Sequence, residues 1–108
     1  MAEIPYPARP TTDYYVLDAN RNPVPADLQT WALRFGQDRH VALDEENGVR
    51  VSTVFLGLNH RYFGEGPPIV FETMIFGGRH DQWQERWSTW SEAEAGHARA
   101  LAMVRETP

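Results

Sequence analysis

The sequence predicts a two-layer α+β domain of order β-α-β-β-β-β-α, with a mainly antiparallel five-stranded sheet and two helices on one face. Three observations support this fold class. Two segments have the apolar spacing of amphipathic helices, and five short segments are rich in β-branched and aromatic residues. Short turn motifs connect most neighbouring segments. Such an order builds a fold in which helices cover one side of a sheet.

The length of 108 residues fits one domain. We expect residues 1–12, with three prolines, to form an extended arm and residues 13–108 to fold. The absence of cysteine excludes disulfides and thiolate chemistry. A net charge of −5 argues against binding to nucleic acid polymers. No signal peptide or apolar membrane segment is apparent, so a cytoplasmic, non-membrane protein is expected.

The first strand is predicted at residues 14–18 and the first helix at residues 24–36. Pro25 suits a first helical turn, and Asp27 complements the positive end of the helix dipole. Gly36 is a suitable terminator. The helix carries an apolar stripe at i, i+3, i+4 and i+7, which consists of Leu28, Trp31, Ala32 and Phe35. We expect this stripe to pack in the core.

A β-hairpin is predicted next, with strands at residues 40–43 and 49–58. The turn residues Asn47 and Gly48 are the strongest short-range hairpin signal. The second strand is apolar on both faces, which is typical of a central strand covered on both sides. Two helices cover one face only, so a homodimer through the other face is predicted.

Two further strands are predicted at residues 69–78 and 80–88, before a final helix over residues 90–106. Thr89 and Glu92 have the spacing of a capping box for this helix. His97 lies on the apolar stripe of the helix and is expected to be a hydrogen-bonded histidine at the edge of the core. Gly96 is unfavourable inside a helix, which suggests that the helix passes close to another element there.

The main candidate site lies in the connection between the predicted strands at residues 49–58 and 69–78. His60 could act as a general base or a ligand presented by this loop, and Arg61 and Tyr62 could bind an anion and a ring. Gly64 and Gly66 would let a backbone approach a ligand, although the motif is unlike any phosphate loop. The alternative is that these are exposed residues of an ordinary connection.

Three more residues complete the candidate set. Glu72 lies mid-strand among apolar residues, where it is either a functional carboxylate or a paired structural one. Arg79 and His80 lie in the following loop, and the pair of His80 and Asp81 could join His60 around a metal. The histidines show no metal-ligand spacing, however, so we expect no metal and no cofactor. No nucleophile elbow or paired-carboxylate motif is present, which favours a non-enzymatic protein.

Three long motifs give the chain a family resemblance. They are "RVSTVFLGLNH" (50–60), "GPPIVFETMIFGG" (66–78) and "QERWSTWSEAEAGHARAL" (84–101). The chain resembles, over residues 14–104, a family of small uncharacterised proteins encoded by tailed bacteriophages and prophages. The sequence departs from the family pattern at Asn59, where Asp is usual, and at Trp87, where Tyr is usual. The missing carboxylate beside His60 weakens a metal or acid–base role for that residue.

The resemblance implies a host cytoplasm as the location and a host protein or metabolite as the partner. Three functions are expected from these observations. The first is a non-enzymatic, dimeric binding module that sequesters a small anionic or nucleotide-like ligand in a counter-defence role. The second is an interaction or inhibitor module that binds a host protein. The third is a nucleotide-directed hydrolase that uses His60 and Glu72.

Overall fold

The structure, a computed structural model, describes residues 12–37 and 39–108. The predicted arm of residues 1–12 therefore lies outside the described residues, except for Thr12. The elements in chain order are β1 Tyr15–Leu17, β2 Pro23–Pro25, α1 Leu28–Arg34, β3 His40–Glu46, β4 Val49–Phe55, β5 Phe71–Phe76, β6 Gln84–Trp87 and α2 Trp90–Glu106.

The main body is a four-stranded antiparallel sheet of order β3-β4-β5-β6, with α2 across one face. The α+β class is thereby confirmed. The predicted turn joins β3 to β4, since Asn47 and Gly48 have φ of 53° and 80°. This pair of positive angles is the geometry that Asn-Gly adopts most readily in a two-residue hairpin turn. The capping box of α2 is also confirmed, because the Thr89 side chain accepts from the Glu92 amide and Glu92 accepts from the Thr89 amide.

The core lies between the sheet and α2. Alternate residues of β4 and β5 are buried, and they belong to the faces that meet the helix. The buried apolar residues of these three elements are Val49, Val51, Phe55, Phe71, Ile75, Ala93, Ala100 and Val104. The period of two along the strands therefore places one set of side chains in the core and leaves the other set on an open face.

The sheet has four strands because β1 does not join it, so the predicted five-stranded sheet is wrong. β1 pairs instead with β2 in a separate two-stranded sheet. Its link to the main body is the segment that follows β4, where the Tyr15 amide donates to the Gly57 carbonyl at 2.9 Å. Gly57 has φ of 74°, so the chain turns there and β4 ends at Phe55 instead of continuing to Leu58.

β2 was not anticipated because two of its three residues are proline, which cannot donate to a neighbouring strand. Val24 pairs with Val16 at its centre, and Pro23 and Pro25 are tolerated because β2 is an edge strand. The sequence suggested that Pro25 lies in the first turn of the helix. It instead ends β2, and α1 begins three residues later at Leu28. Asp27 is the N-cap of α1, with its carboxylate accepting from the Thr30 amide at 2.7 Å.

α1 packs against β1 and not against the four-stranded sheet, so two helices on one face is also wrong. No residue of α1 is buried. Of the predicted core stripe, Leu28 is 56% exposed and Phe35 is 41% exposed, while Trp31 is half-buried. An amphipathic pattern marks one face of a helix as apolar, but it does not specify what covers that face.

Gly96 allows α2 to pass directly against the ring of Trp87. A Cβ at position 96 would overlap this ring. The prediction that the helix closely approaches another element at this point is confirmed. The guanidinium carbon of Arg99 lies 5.1 Å from the centroid of the same ring, so Trp87 is held between a helix backbone and a cation.

Candidate functional site

The six predicted site residues fall at two ends of the sheet. His60, Arg61 and Tyr62 lie in the connection between β4 and β5, whereas Arg79 and His80 lie in the connection between β5 and β6. β5 separates these two connections, and its six residues span about 17 Å. The sequence suggested one site formed by both loops, but the structure does not bring them together.

Residues 59–69, here called the aromatic loop, are fixed by Asn59. This side chain is 7% exposed, and its oxygen accepts from the Arg61 amide at 2.9 Å and from the Ile69 amide at 3.0 Å. The His60 amide donates to the Ile69 carbonyl at 2.8 Å and closes the base of the loop. An Asp at position 59 would present the same acceptor, so the departure from the family pattern preserves the loop.

Arg61 braces the loop from within. Its Nε donates to the Pro67 carbonyl at 2.9 Å. The guanidinium also lies against Gly66, where a Cβ would come within 3.0 Å of its carbon atom Cζ. The glycine that the sequence suggested for ligand approach therefore makes room for Arg61. This arginine has a structural role that its position in the sequence did not reveal.

His60 and Tyr62 form a pair at the side of the loop. The Tyr62 hydroxyl lies 2.9 Å from His60 Nδ1, and the ring centroids are 5.8 Å apart. Both residues border an open groove of about 450 Å³. The other lining residues of the groove are Thr12, Asp13, Tyr14, Leu58 and Asn59. Tyr62 and Phe63 point outward from this loop and are 62% and 89% exposed.

Glu72 is a paired carboxylate on the open face of the sheet. It accepts from Arg86 Nε at 2.9 Å, and its side chain is 16% exposed. Both charges act on His60, whose pKa is lowered mainly by partial burial and further by the positive charge of Arg86. Glu72 opposes this shift, since a nearby carboxylate raises the pKa of His60. His60 and Glu72 thus share an electrostatic environment.

We predict that His60 titrates below its usual value of 6.5 in the folded protein. Arg86→Gln should raise the pKa of His60, and Glu72→Gln should lower it further, because each change removes one of the two opposing charges. Titration of the His60 ring protons by NMR measures both shifts, with Arg99→Gln as a control, since the pKa shift of His60 is assigned to burial, Arg86 and Glu72 and not to Arg99. Shifts in the same direction for the two variants would contradict this electrostatic assignment.

The lowered pKa also gives this residue a defined effect on stability. The unfolded chain binds a proton at His60 more readily than the folded chain does. The contribution of His60 to stability is therefore fully present above the usual value of 6.5 and decreases as the pH falls below it, towards the lower folded pKa.

The second loop is a compact turn. The Asp81 carboxylate accepts from the Gly77 amide at 2.6 Å, and the Trp83 amide donates to the His80 carbonyl at 2.9 Å. Arg79 is exposed, whereas His80 is half-buried, and its buried Nε2 has no hydrogen-bond partner within the part of the chain that the structure describes. Within residues 12–37 and 39–108 no three acidic or histidine side chains are grouped to hold a metal, and the suggested set with His60 is not assembled.

Sequence reasoning missed a buried polar chain that crosses the core. The Trp87 indole donates to the Thr73 hydroxyl at 3.0 Å, and the hydroxyls of Thr73 and Thr53 are 2.7 Å apart. Thr53 is also 2.7 Å from His97 Nδ1. His97 Nε2 lies 2.8 Å from the Asp44 carboxylate. We call these five residues the core chain.

One direction of donation satisfies every hydrogen bond of the core chain. An indole N–H can only donate, so the Thr73 hydroxyl accepts from Trp87 and can donate its own hydrogen bond to the Thr53 hydroxyl. In this direction Thr53 donates to His97 Nδ1, and the Nε2–H of His97 donates to the Asp44 carboxylate. No pair of these residues has a recognisable spacing, because they come from β3, β4, β5, β6 and α2.

The Asp44, His97 and Thr53 order resembles an arrangement that activates a hydroxyl nucleophile. Thr53 is fully buried, however, with 0% exposure, and its oxygen already contacts Thr73. A substrate cannot reach that oxygen. The core chain therefore holds the sheet against α2, and the expectation of a satisfied His97 at the core edge is confirmed.

Comparisons with known proteins provide no function for the aromatic loop or the groove. The chain matches no protein-family model, no curated protein and no solved structure. No helix in the described part of the chain is both long and apolar enough to cross a bilayer. The resemblance to phage-encoded proteins and the host cytoplasm thus stay predictions.

Proposed function

We propose that the protein is a non-enzymatic interaction module that binds a host protein through the aromatic loop. The observation that carries this proposal is the exposure of Tyr62 and Phe63, at 62% and 89%, on a loop whose backbone is fixed. Exposed aromatic residues of this kind supply most of the binding energy in protein interfaces.

The fixed backbone lowers the entropic cost of binding. The Asn59 side chain holds both ends of the loop, and Arg61 holds its middle through the Pro67 carbonyl. A loop that is ordered before binding loses little conformational freedom on association. Leu58 lines the same groove as Tyr62 and extends the apolar surface on that side, with Leu58 38% exposed.

Charge indicates the kind of partner. The chain has a net charge of −5, and both Asp13 at the groove and Glu65 in the loop are exposed. A partner with a basic surface around an apolar pocket would complement this region, and its association rate would fall with increasing salt. The family resemblance favours a host protein as the source of that surface.

A small anionic ligand at this loop has less support. Arg61 is engaged with the Pro67 carbonyl, Arg86 is paired with Glu72, and Arg79 is at the other end of the sheet. Few cations are therefore left to converge on an anion beside Tyr62. The same Glu72–Arg86 pair argues against a hydrolase, because the carboxylate that would act as acid or base already has a partner.

The test is binding of a partner isolated from host extract and then purified. We expect Tyr62→Ala and Phe63→Ala each to raise the dissociation constant about thirtyfold, which corresponds to a loss of about 2 kcal/mol of binding free energy per anchor residue. Biolayer interferometry of the two purified proteins measures this loss, and repeating it at several salt concentrations measures the electrostatic contribution.

Leu43→Ala is the matched control, because Leu43 is 52% exposed on the open sheet face, away from the loop. It should leave the affinity unchanged. Equal losses for Leu43 and Phe63 would contradict the proposal. A change in the oligomeric state of the purified chain on Tyr62→Ala would also contradict it, because the loop would then bind a second copy of the chain, whereas the homodimer predicted from sequence uses the open face of the sheet.

A further inference from the structure

A second, smaller cavity lies between β1 and α1, away from the exposed side of the aromatic loop. It measures about 70 Å³. Its apolar wall consists of Tyr15, Val16, Leu17, Trp31, Phe35 and Phe55. The rings of Trp31 and Phe35 are 4.5 Å apart, and the Trp31 indole nitrogen lies 2.8 Å from where a Cβ of Gly57 would stand. The wall is therefore closely packed on this side.

Two arginines also line this cavity. Arg34 Nη2 donates to the Leu17 carbonyl at 2.8 Å, and the guanidinium carbon of Arg39 lies 4.1 Å from the centroid of the Phe35 ring. Neither arginine forms an ion pair with a carboxylate in the described part of the chain. In a protein of net charge −5, two cations therefore lie beside one apolar cavity without an acidic partner among residues 12–37 and 39–108.

We propose that this cavity binds a small aliphatic carboxylate. The arginines would bind the carboxylate, since a guanidinium matches the two oxygens of that group, and it carries five N–H donors, of which the bond of Arg34 to Leu17 uses one. The aromatic and aliphatic wall would enclose the hydrocarbon part, as in other small-molecule sites with few polar groups. This cavity is separate from the aromatic loop, and the proposal for the cavity does not depend on the proposed function of that loop.

The size of the cavity limits the hydrocarbon part. At about 70 Å³ it is roughly half the size of the apolar cavity of about 150 Å³ that binds benzene. An aliphatic group of about three or four carbons is therefore the largest that fits. A nucleobase is too large, so the nucleotide-like ligand suggested by the sequence does not fit here. The ligand class is a short aliphatic carboxylate, which 3-methylbutanoate represents.

The test is an NMR titration of the full chain with 3-methylbutanoate. We expect saturable shifts at the Trp31 indole N–H and the Gly57 amide, with a dissociation constant on the order of 1 mM for so small a ligand. Arg34→Gln and Arg39→Gln should each weaken binding about tenfold, because each removes a charge-assisted interaction with the carboxylate. Thermal unfolding of each variant verifies its fold.

Three controls separate this proposal from its alternatives. Arg99→Gln changes the net charge equally but lies against Trp87, so it should bind like the unmodified chain. The neutral analogue 3-methylbutan-1-ol and inorganic phosphate should each bind much more weakly. Equal binding of the alcohol, equal binding of phosphate, an equal loss in Arg99→Gln, or no saturable shift with 3-methylbutanoate would overturn the proposal. Arg39 lies outside the helix, so its variant decides the question if Arg34→Gln fails to fold.

Discussion

Thr53→Val is expected to lower the free energy of unfolding by about 3 kcal/mol, although valine has the shape of threonine. The hydroxyl of Thr53 lies 2.7 Å from both the Thr73 hydroxyl and His97 Nδ1. Valine would leave both of these groups in the core without that partner. Each buried polar group that loses its hydrogen bond costs about 1–3 kcal/mol, and the added methyl group does not compensate for two of them.

Urea denaturation of the variant measures this loss, with Thr53→Ser and Ser52→Ala as controls. Thr53→Ser keeps the hydroxyl and removes one methyl group, so it should cost only about 1 kcal/mol. Ser52→Ala lies on the same strand but on the open face and should change stability by less than about 0.5 kcal/mol. A valine variant as stable as the serine variant would show that the core chain contributes nothing to stability.

Gly96→Ala is expected to destabilise the protein by about 2 kcal/mol and to lower the Tm by about 10 °C. Alanine is normally the better helix residue by about 1 kcal/mol. Here its Cβ would overlap the Trp87 ring, which cannot move away easily because its indole nitrogen is bonded to Thr73. Overpacking of this kind outweighs the gain in helix propensity.

The same substitution should have the opposite sign in a Trp87→Leu background. Leucine does not reach the space over Gly96, so alanine would then stabilise α2 by about 1 kcal/mol. Thermal unfolding of the two single variants and the double variant measures this coupling. If Gly96→Ala remains costly without the tryptophan ring, the clash with Trp87 is not its cause.

Features set by neighbouring residues were predicted correctly from sequence. The Asn47-Gly48 turn and the capping box of Thr89 and Glu92 depend on residues at most three positions apart. The close approach at Gly96 was also predictable, because a glycine inside a helix needs a reason. In each case the local physical chemistry allowed few alternatives.

Features set by distant residues were not predictable. The apolar stripe of α1 does not reveal whether Leu28 and Phe35 face a sheet or solvent, and the sequence gives no partner for β1. The turn at Gly57 ends β4 early and places β1 beside the segment that follows. Since α1 packs against β1, the apolar stripe of α1 then lies away from the four-stranded sheet. A glycine in a strand pattern can mark a bend or a close approach, so the pattern alone did not separate these outcomes.

The candidate site shows the same division. The loop that carries His60 and Tyr62 was correctly located between two strands. The partners of its side chains were not predictable. The sequence is equally consistent with Arg61 facing solvent, a ligand or the Pro67 carbonyl, and in the structure it donates to that carbonyl. The separation of His80 from His60 follows from antiparallel pairing, which places successive connections at opposite ends of a sheet.

The link between β1 and the main body through residues 57–59 has a consequence for motion. Tyr15 and Asn59 supply backbone hydrogen bonds to this link, at 2.9 Å to Gly57 and 2.9 Å to Asp13. Packing reinforces this link, because Tyr15 is 2% exposed and belongs to a core cluster that includes residues of the sheet and α2. β1 should therefore stay folded with the main body, whereas α1, which buries no residue, should open first. Amide exchange would then be faster in α1 than in β1, the sheet and α2, and α1 would be the first of these elements open to proteases.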